Sequence, residues 1–438
     1  MAIHCEQVNG RLKIERETIP LTLAQRGAGI GAMKALLFAL FTLAVAICPE
    51  SPAAQSFISD PYKVRIEDSY YFSLKSGDSA KLMTSDLTSK GAKSLPFVFK
   101  TLGSMVSLGD GLIFAADEGK GSELYGFSPN GKDAKPQLIK DLAADGSSSP
   151  RELTVLGDQV FFSASDGKRR ELYVLESKNN TVSTVAAAYE ITVPADPVLL
   201  TVVGNKLFFS AGETVEVKKG KKTKKVYQRR YYALDTEKPG KVHGFPFFEQ
   251  HTNPKHPLVD GSKLYFKIHE GPERYEILRI DTAAARPKVE VIGDGSEGFS
   301  DCLTIIGSKM YFRGFDGPEN IGNKELWSVD LTQPAEPAVL EEEICPGAQG
   351  AFPFALVAVD GKLYFNGRKN GTDTQVMVFD PKAKVPSVNL PGSQDASFLS
   401  KSEKGTLRFV RVVGEEVRFM EYNPAPAKTT CLMSLPLR

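Results

Sequence analysis

A phenylalanine recurs along this chain as Phe72, Phe114, Phe162, Phe209, Phe266, Phe312, Phe365 and Phe409, at spacings of 42, 48, 47, 57, 46, 53 and 44 residues. Two residues before each stands Tyr70, Leu112, Val160, Leu207, Leu264, Met310, Leu363 or Leu407. Between them lies Tyr71, Ile113, Phe161, Phe208, Tyr265, Tyr311, Tyr364 or Arg408. A short apolar run of this kind, rich in aromatics and bounded by glycine, is the pattern of a strand covered on both faces. A glycine precedes it as Gly109, Gly157, Gly204, Gly261 and Gly307, with Asp360-Gly361 and Lys404-Gly405 nearly in register. Such pairs suit tight hairpins, which need positive φ.

A third apolar segment follows each phenylalanine: Glu123-Leu-Tyr, Glu171-Leu-Tyr, Glu276-Ile-Leu, Glu325-Leu-Trp or Glu416-Val-Arg-Phe. It ends in an acid in most copies (Asp86, Glu176, Asp235, Asp281, Asp330, Asp380, Glu421), placed to cap the next turn. A looser fourth strand follows, such as Gln137–Leu142 or Val289–Ile292. Four antiparallel strands per period make the blade of a β-propeller. The fold class expected is therefore all-β, one propeller of four-stranded antiparallel blades over 55–438. Eight markers imply eight blades, or seven if a terminal unit lies outside the ring. First and last units must meet to remove open edges, and Ser56–Ser59 is expected to add a strand to the final blade. The repeated Phe, Leu and Tyr read as core, and the repeated acids as turn chemistry.

Gly121-Ser-Glu-Leu-Tyr, Arg170-Glu-Leu-Tyr and Lys324-Glu-Leu-Trp-Ser-Val-Asp330 resemble the repeats of bacterial ELWxxDGT repeat proteins. The segment Leu138–Pro150, ending Gly-Ser-Ser-Ser-Pro, is similar to the linker between that family's units. The resemblance is good over 104–175 and 302–353 and weak elsewhere; the DGT element is degraded, its best copy being Asp330-Leu-Thr332. It implies an exported propeller-type repeat protein and no particular reaction.

Residues 1–32 have no period. Met33–Ile47 then gives a basic residue and an apolar run, followed by Cys-Pro-Glu-Ser-Pro-Ala-Ala-Gln55. These are the n-, h- and c-regions of a secretory signal, too short for a comfortable transmembrane helix. Residues 33–54 are thus read as a signal peptide, 1–32 as an upstream extension absent from the mature protein, and the protein as secreted or periplasmic, with no transmembrane span in the mature form. Removing 1–54 takes the formal net charge from +1 to zero, so no global field steers it to nucleic acid or a membrane. Cys302, Cys345 and Cys431 then remain; an odd number makes no disulfide framework, and no pair can be chosen.

Function is sought where the repeat breaks. The longest insertion, Glu213–Tyr232, reads as a protruding hairpin with a lysine-rich tip: Lys218, Lys219, Lys221, Lys222, Lys224 and Lys225, then Arg229 and Arg230. It is the candidate ligand-binding feature, for a polyanion, against the plain reading of a solvated tip. Nucleic acid is the least expected target, since no base-reading residues interleave. His243, His251, His256 and His269 fit no zinc spacing, so no metal site is assigned. Asp117–Glu123 and Asp316–Glu325 offer oxygen ligands on glycine-rich loops, making calcium the one candidate ion, although neither matches the EF-hand or nonapeptide spacing. No GxSxG, HExxH or phosphate-cradling loop occurs, so no catalytic residue is named. The leading expectation is an exported non-catalytic module binding a protein or glycan partner; the alternatives are a carbohydrate-active or other hydrolytic propeller enzyme and an envelope assembly factor.

Overall fold

The computed structural model describes residues 3–8, 11–16 and, with interruptions of which 246–256 and 316–322 are the longest, 58–436. The chain divides into two units, Met1–Cys48 and Pro49–Arg438. In the first, Ile3–Val8 pairs antiparallel with Arg11–Arg16. The signal segment 33–54 lies outside the described residues.

The second unit is an eight-bladed propeller. Each blade is an antiparallel sheet taken in chain order from inner to outer strand. Blade 1 spans Val64–Phe99, blade 2 Thr101–Lys140, blade 3 Arg151–Thr184 and blade 4 Ala195–Phe245. Blade 5 spans Leu258–Ile292, blade 6 Gly298–Glu342, blade 7 Phe354–Asn389 and blade 8 Ser397–Pro436. In blade 6 the inner strand is split into Gly298–Phe299 and Thr304–Ile306, both paired to Lys309–Phe315. Among the described residues helix is almost absent; Val185–Ala188 is a single turn capped by the Thr184 hydroxyl.

The turns follow the sequence. Asp360 (φ 51°) and Gly361 (φ 71°) are both left-handed, as a two-residue type I′ hairpin requires. The strand-end acids cap as expected: Asp86 accepts the N–H and the hydroxyl of Thr88, and Asp330 those of Thr332.

The recurring phenylalanines are buried, at 0% or 1% exposure in every blade. Each faces the preceding blade, while the residue before it faces the following one. Thus Phe162 packs with Ile113 and Leu124 of blade 2, and Phe161 with Leu207 and Phe209 of blade 4. Eight apolar clusters result, one at each seam between neighbouring blades. The eighth joins Phe72 and Met83 of blade 1 to Val410 and Phe419 of blade 8, so the ring is closed. Side-chain bonds also stitch the inner strands together. Leu153 donates its N–H to Ser104 Oγ (3.3 Å), Leu200 to Glu152 Oε2 (3.1 Å), and Thr304 Oγ1 donates to Leu356 O (3.3 Å).

The extra strand expected from Ser56–Ser59 does not complete the final blade. Blade 8 draws all four strands from Ser397–Pro436, and Ile58 instead bridges to Leu74 in blade 1 while Ser59 and Ser73 exchange hydrogen bonds. Closure is by packing across the seam and needs no shared strand.

The repeated Glu before Leu-Tyr or Leu-Trp has a definite structural task. Glu325 is 2% exposed and accepts the N–H groups of Ile344 (2.9 Å), Cys345 (3.1 Å) and Ala351 (3.0 Å). Glu123 does the same for Leu142 and Ser148. Each carboxylate thereby folds inward the linker that leaves its own blade and satisfies N–H groups no strand takes up. The Cys-Pro-Gly loop is held this way, so Cys345 and Cys302 pack in one seam cluster, whereas Cys431 is exposed.

Burial, aided by Glu343, pushes the Glu325 carboxyl up to about 7 against the three donors that pull it down. The folded-state value then lies above the unfolded one, so on raising the pH the unfolded chain gives up its proton first. Protonated Glu325 stabilises fully below its ordinary 4.5, and this contribution is lost as the pH climbs through about 7. The melting temperature of the wild type, relative to Glu325→Gln, is expected to fall across that interval. A difference that stays flat with pH would refute this.

Candidate functional site

Antiparallel order puts two kinds of connection at the same end of the ring: the linker entering each inner strand and the turn joining second to third strand. At this linker end a junction repeats. Ser149 donates its N–H to Ser122 O (2.9 Å), Phe352 to Lys324 O (2.9 Å) and Asp395 to Thr374 O (3.0 Å). The entering residue is left-handed each time: Ser149 (φ 45°), Asp196 (52°), Phe352 (53°) and Asp395 (53°). A second left-handed residue follows three positions on, as Glu152, Leu199, Ala355 and Phe398. These account for register shifts in the inner strands, as between Arg151 and Thr154, and hold the junctions in a fixed shape despite different side chains.

Cations collect at these junctions. Arg170, Arg229 and Lys324 occupy one repeat position, three residues before Tyr173, Tyr232 and Trp327, which pair with the marker phenylalanines. Arg170 Nη1 donates to Ser149 O (3.1 Å) and Ser163 O (3.0 Å). Burial, and then the neighbouring Arg151, push its guanidinium below the ordinary value. Arg229 Nη1 meets Asp196 Oδ2 at 2.6 Å, and Arg151 lies 3.8 Å from the other oxygen. Arg411 donates to Gln394 O (2.8 Å) and Gly392 O (2.7 Å). At the junction of blades 6 and 7, Lys324, Arg313 and Arg368 stand 4.8, 5.1 and 5.7 Å from the centroid of the Phe352 ring. Cation–π attraction of this kind holds an Arg or Lys against an aromatic face.

The basic hairpin rises from the same end. Lys206–Lys219 and Lys222–Asp235 pair continuously from Lys206↔Asp235 to Lys219↔Lys222, whereas the second strand of blade 3 stops at Ser165. The ladder beyond Gly212, its counterpart, extends by roughly 23 Å at about 3.3 Å per residue. The predicted hairpin is therefore present, with Lys218, Lys219, Lys222, Lys224 and Lys225 on its outer ladder; Lys221 lies outside the described residues. Lys225 is exposed. Arg229 and Arg230 fall instead at the foot, opposite Gly212 and Ala211. Arg229 is tied to Asp196 and anchors the arm, so the eight residues form an arm and its base instead of one patch.

The equivalence of Arg170, Arg229 and Lys324 was not drawn from the sequence. The signal was available as a basic residue heading Arg170-Glu-Leu, Arg229-Arg-Tyr and Lys324-Glu-Leu. Of the other candidates, His243 and His269 lie on strands of blades 4 and 5 with side chains outside the description, and 251 and 256 are outside it altogether. The Asp117 carboxylate is occupied by its own turn, accepting the N–H groups of Gly119 (2.6 Å) and Gly121 (3.0 Å), which hold its pKa down. The loop 316–322 is not described. Among the described residues no group of three or more His, Cys, Asp or Glu is gathered as a metal site, and no helix is long and apolar enough to cross a membrane.

No family model and no curated protein matches the chain. Among solved structures it is similar to a prolyl endopeptidase, at 17% identity and a TM-score of 0.49 over 76% of this chain and 49% of that one. It is similar to puromycin hydrolase at 12% identity and a TM-score of 0.47, over 84% and 52%. It is likewise similar to prolyl oligopeptidase B from Galerina marginata, at 12% and 0.47, over 76% and 50%. The chain thus spans about half the length of each, and at these identities the likeness is one of fold. These structures are hydrolases, which corrects the expectation of a non-catalytic binding or scaffold module. That expectation rested on finding no nucleophile motif in the repeats, but a repeat pattern specifies a fold, and one fold hosts many activities.

Proposed function

We propose that this chain acts in hydrolysis of an acidic polymer, polypeptide in the first instance, and that the linker end of the propeller is where substrate enters. The observation behind this reading is the gathering of Arg170, Arg229, Arg313, Lys324, Arg368 and Arg411 at equivalent junctions of one end, the end from which the lysine-bearing arm also rises. Clustered cations raise the local concentration of an anionic chain and speed its encounter, and salt weakens both effects. Substrate enters at this end, and no described residue is given a role in bond cleavage. Export, expected from residues 33–54 and in keeping with the resemblance to ELWxxDGT repeat proteins, belongs to the same proposal: an exported hydrolase meets polymeric substrates outside the cytoplasm.

The test is product release by the full chain from matched acidic, neutral and basic peptides, with acidic and neutral glycans beside them, read by mass spectrometry. Acidic peptides are expected to be cut with the highest kcat/KM, and raising the salt to shrink that advantage. Release from no substrate in the panel overturns the proposal. Release from glycans alone would overturn the peptide assignment.

A further inference from the structure

We propose that the linker entering blade 3 holds a carboxylate-binding site, with Arg170 as its principal donor and Arg151 as its second cation, and that it seats the side chain of an aspartyl or glutamyl residue in a polypeptide. The inference rests on the reading that acidic polypeptide enters at the linker end, and it names where on that end one carboxylate sits. The site is separate from the lysine arm, which belongs to blade 4.

Blade 4 carries this arrangement with its own carboxylate in place. Arg229 Nη1 donates to Asp196 Oδ2 (2.6 Å), and its Nη2 to Asp196 O (2.5 Å). One guanidinium thus takes both the backbone oxygen and the carboxylate of the left-handed linker residue. In blade 3 the same repeat position is Arg170, and the left-handed linker residue is Ser149. The backbone half is kept, since Arg170 Nη1 and Nη2 both reach Ser149 O at 3.1 Å. The carboxylate half is not, because serine has none. Arg170 donates further to Ser163 O (3.0 Å) and Ser163 Oγ (3.3 Å), and among the described residues it pairs with no carboxylate.

Charge and rigidity both favour an external carboxylate there. Among the described residues Asp196 is the one acid in ion-pair reach of Arg151, Arg170 or Arg229. It is committed to Arg229 and meets Arg151 only at 3.8 Å, and the Arg151 side chain is 52% exposed. The other acids nearby are engaged: Glu171 pairs with Arg169 (2.6 Å), and Asp166 accepts the N–H groups of Lys168 and Arg169. Burial and the like charge of Arg151 both work against the charged form of Arg170, and a carboxylate between the two guanidinium groups offsets that repulsion. The carbonyls of Ser149 and Ser163 fix the planar donor beforehand, so little side-chain freedom is lost on binding. The linker residue is Asp196 in blade 4, Phe352 in blade 7 and Asp395 in blade 8. Of these four linkers, that of blade 3 alone sets a small neutral residue against its arginine, so the site is particular to one blade.

The experiment titrates the full chain at low salt with acetyl-Gly-Asp-Gly-amide, acetyl-Gly-Asn-Gly-amide and methyl glucuronide, and reads binding by calorimetry. The aspartyl peptide is expected to bind most tightly. Arg170→Gln should weaken that binding by about ten-fold or more, as loss of a charge-assisted hydrogen bond does. Ser149→Asp keeps Arg170 with its carbonyl bonds and gives blade 3 the carboxylate that blade 4 has; Asp and Asn both tolerate the left-handed backbone. It should weaken peptide binding by about ten-fold or more, because the internal carboxylate competes for the same donor. It should also melt at a higher temperature than Ser149→Asn, which has no charge to offer and should still bind the peptide. The Ser149 pair decides the matter should Arg170→Gln fail to fold. Equal binding of the two peptides overturns the site, as does wild-type binding by Ser149→Asp. Tighter binding of the glucuronide than of the aspartyl peptide overturns the polypeptide assignment. Loss of the site with cleavage intact faults this inference alone, and binding without cleavage faults the hydrolytic reading alone.

Discussion

Replacing Phe162 with Ala is expected to lower the unfolding free energy by about 3–5 kcal/mol, the range for truncating a fully buried aromatic. Phe162 is 0% exposed and stacks on Tyr173 at 5.6 Å between ring centroids. It packs into the seam with Ile113 and Leu124 of the preceding blade. A closed ring gives such a residue unusual weight. Each blade is covered only by its two neighbours, so a hole in one seam loosens both blades beside it, and loops from elsewhere cannot fill it. The proper control lies on the outer strands, where Val98 is 63% exposed and Val98→Ala should change stability by less than about 0.5 kcal/mol. Urea unfolding followed by near-ultraviolet dichroism measures both. A loss under about 1 kcal/mol for Phe162→Ala would contradict a seam dense enough to hold the ring.

What could be read from the sequence was whatever the repeat enforces within one blade. The marker phenylalanines, the residue before each and the strand-end acids recur because every blade solves the same packing and capping problem. Their roles as core and turn caps follow from one copy as well as from eight. The glutamates of Glu123-Leu-Tyr and Glu325-Leu-Trp were visible too, but as turn chemistry. Their partners are N–H groups of linkers 19 to 26 residues away, which periodicity does not reveal. Contacts between blades were harder still. Ser56–Ser59 offers a strand for the open edge of the last blade, since a strand can be shared there; instead the first and last blades meet side chain to side chain. The cation junctions needed two facts together. The position shared by Arg170, Arg229 and Lys324 is legible, but the left-handed linker that brings Phe352 and Arg368 to the same place is a matter of backbone geometry at Gly350 and Phe352.

The residue that breaks the pattern most plainly is Arg408, where seven other blades have Tyr71, Ile113, Phe161, Phe208, Tyr265, Tyr311 or Tyr364. It sits in the seam that joins the two ends of the ring. Its Nη1 donates to Tyr70 Oη (2.8 Å), 338 residues away, and its Nε to Glu421 Oε1 (3.1 Å). The guanidinium also lies 5.5 Å from the Tyr70 ring centroid. Tyr62 donates its hydroxyl to Phe409 O (3.1 Å), and Thr406 Oγ1 to Glu421 (2.9 Å). This polar set gives the closing seam directional bonds that favour blade 1 over a blade edge without them; among the described residues the seam of blades 5 and 6 carries a related set, in which Arg279 is tied to Glu290 and donates to Leu331 O. Such selectivity has a cost in stability, and a buried ion pair need not be worth more than apolar packing.

Arg408→Met should therefore cost about 3 kcal/mol, the lower end for breaking a buried pair, since the Arg408 and Glu421 side chains are 16% and 24% exposed and water can partly rescue Glu421. Adding Glu421→Leu and Tyr70→Phe should return most of that loss, because no charge then remains unpaired in the seam and the Thr406 hydroxyl, which loses Glu421, keeps Ser402 Oγ as a partner. A double-mutant cycle over Arg408 and Glu421, read by urea unfolding, measures the coupling. The triple variant is also expected to form more dimers and higher species on refolding at high protein concentration, because an apolar closing seam no longer carries directional bonds that single out blade 1. If Arg408→Met alone unfolds at the wild-type urea midpoint, the pair contributes nothing to closure. If the triple variant regains stability yet refolds as cleanly to monomer, the seam's polarity has no part in selecting its partner blade.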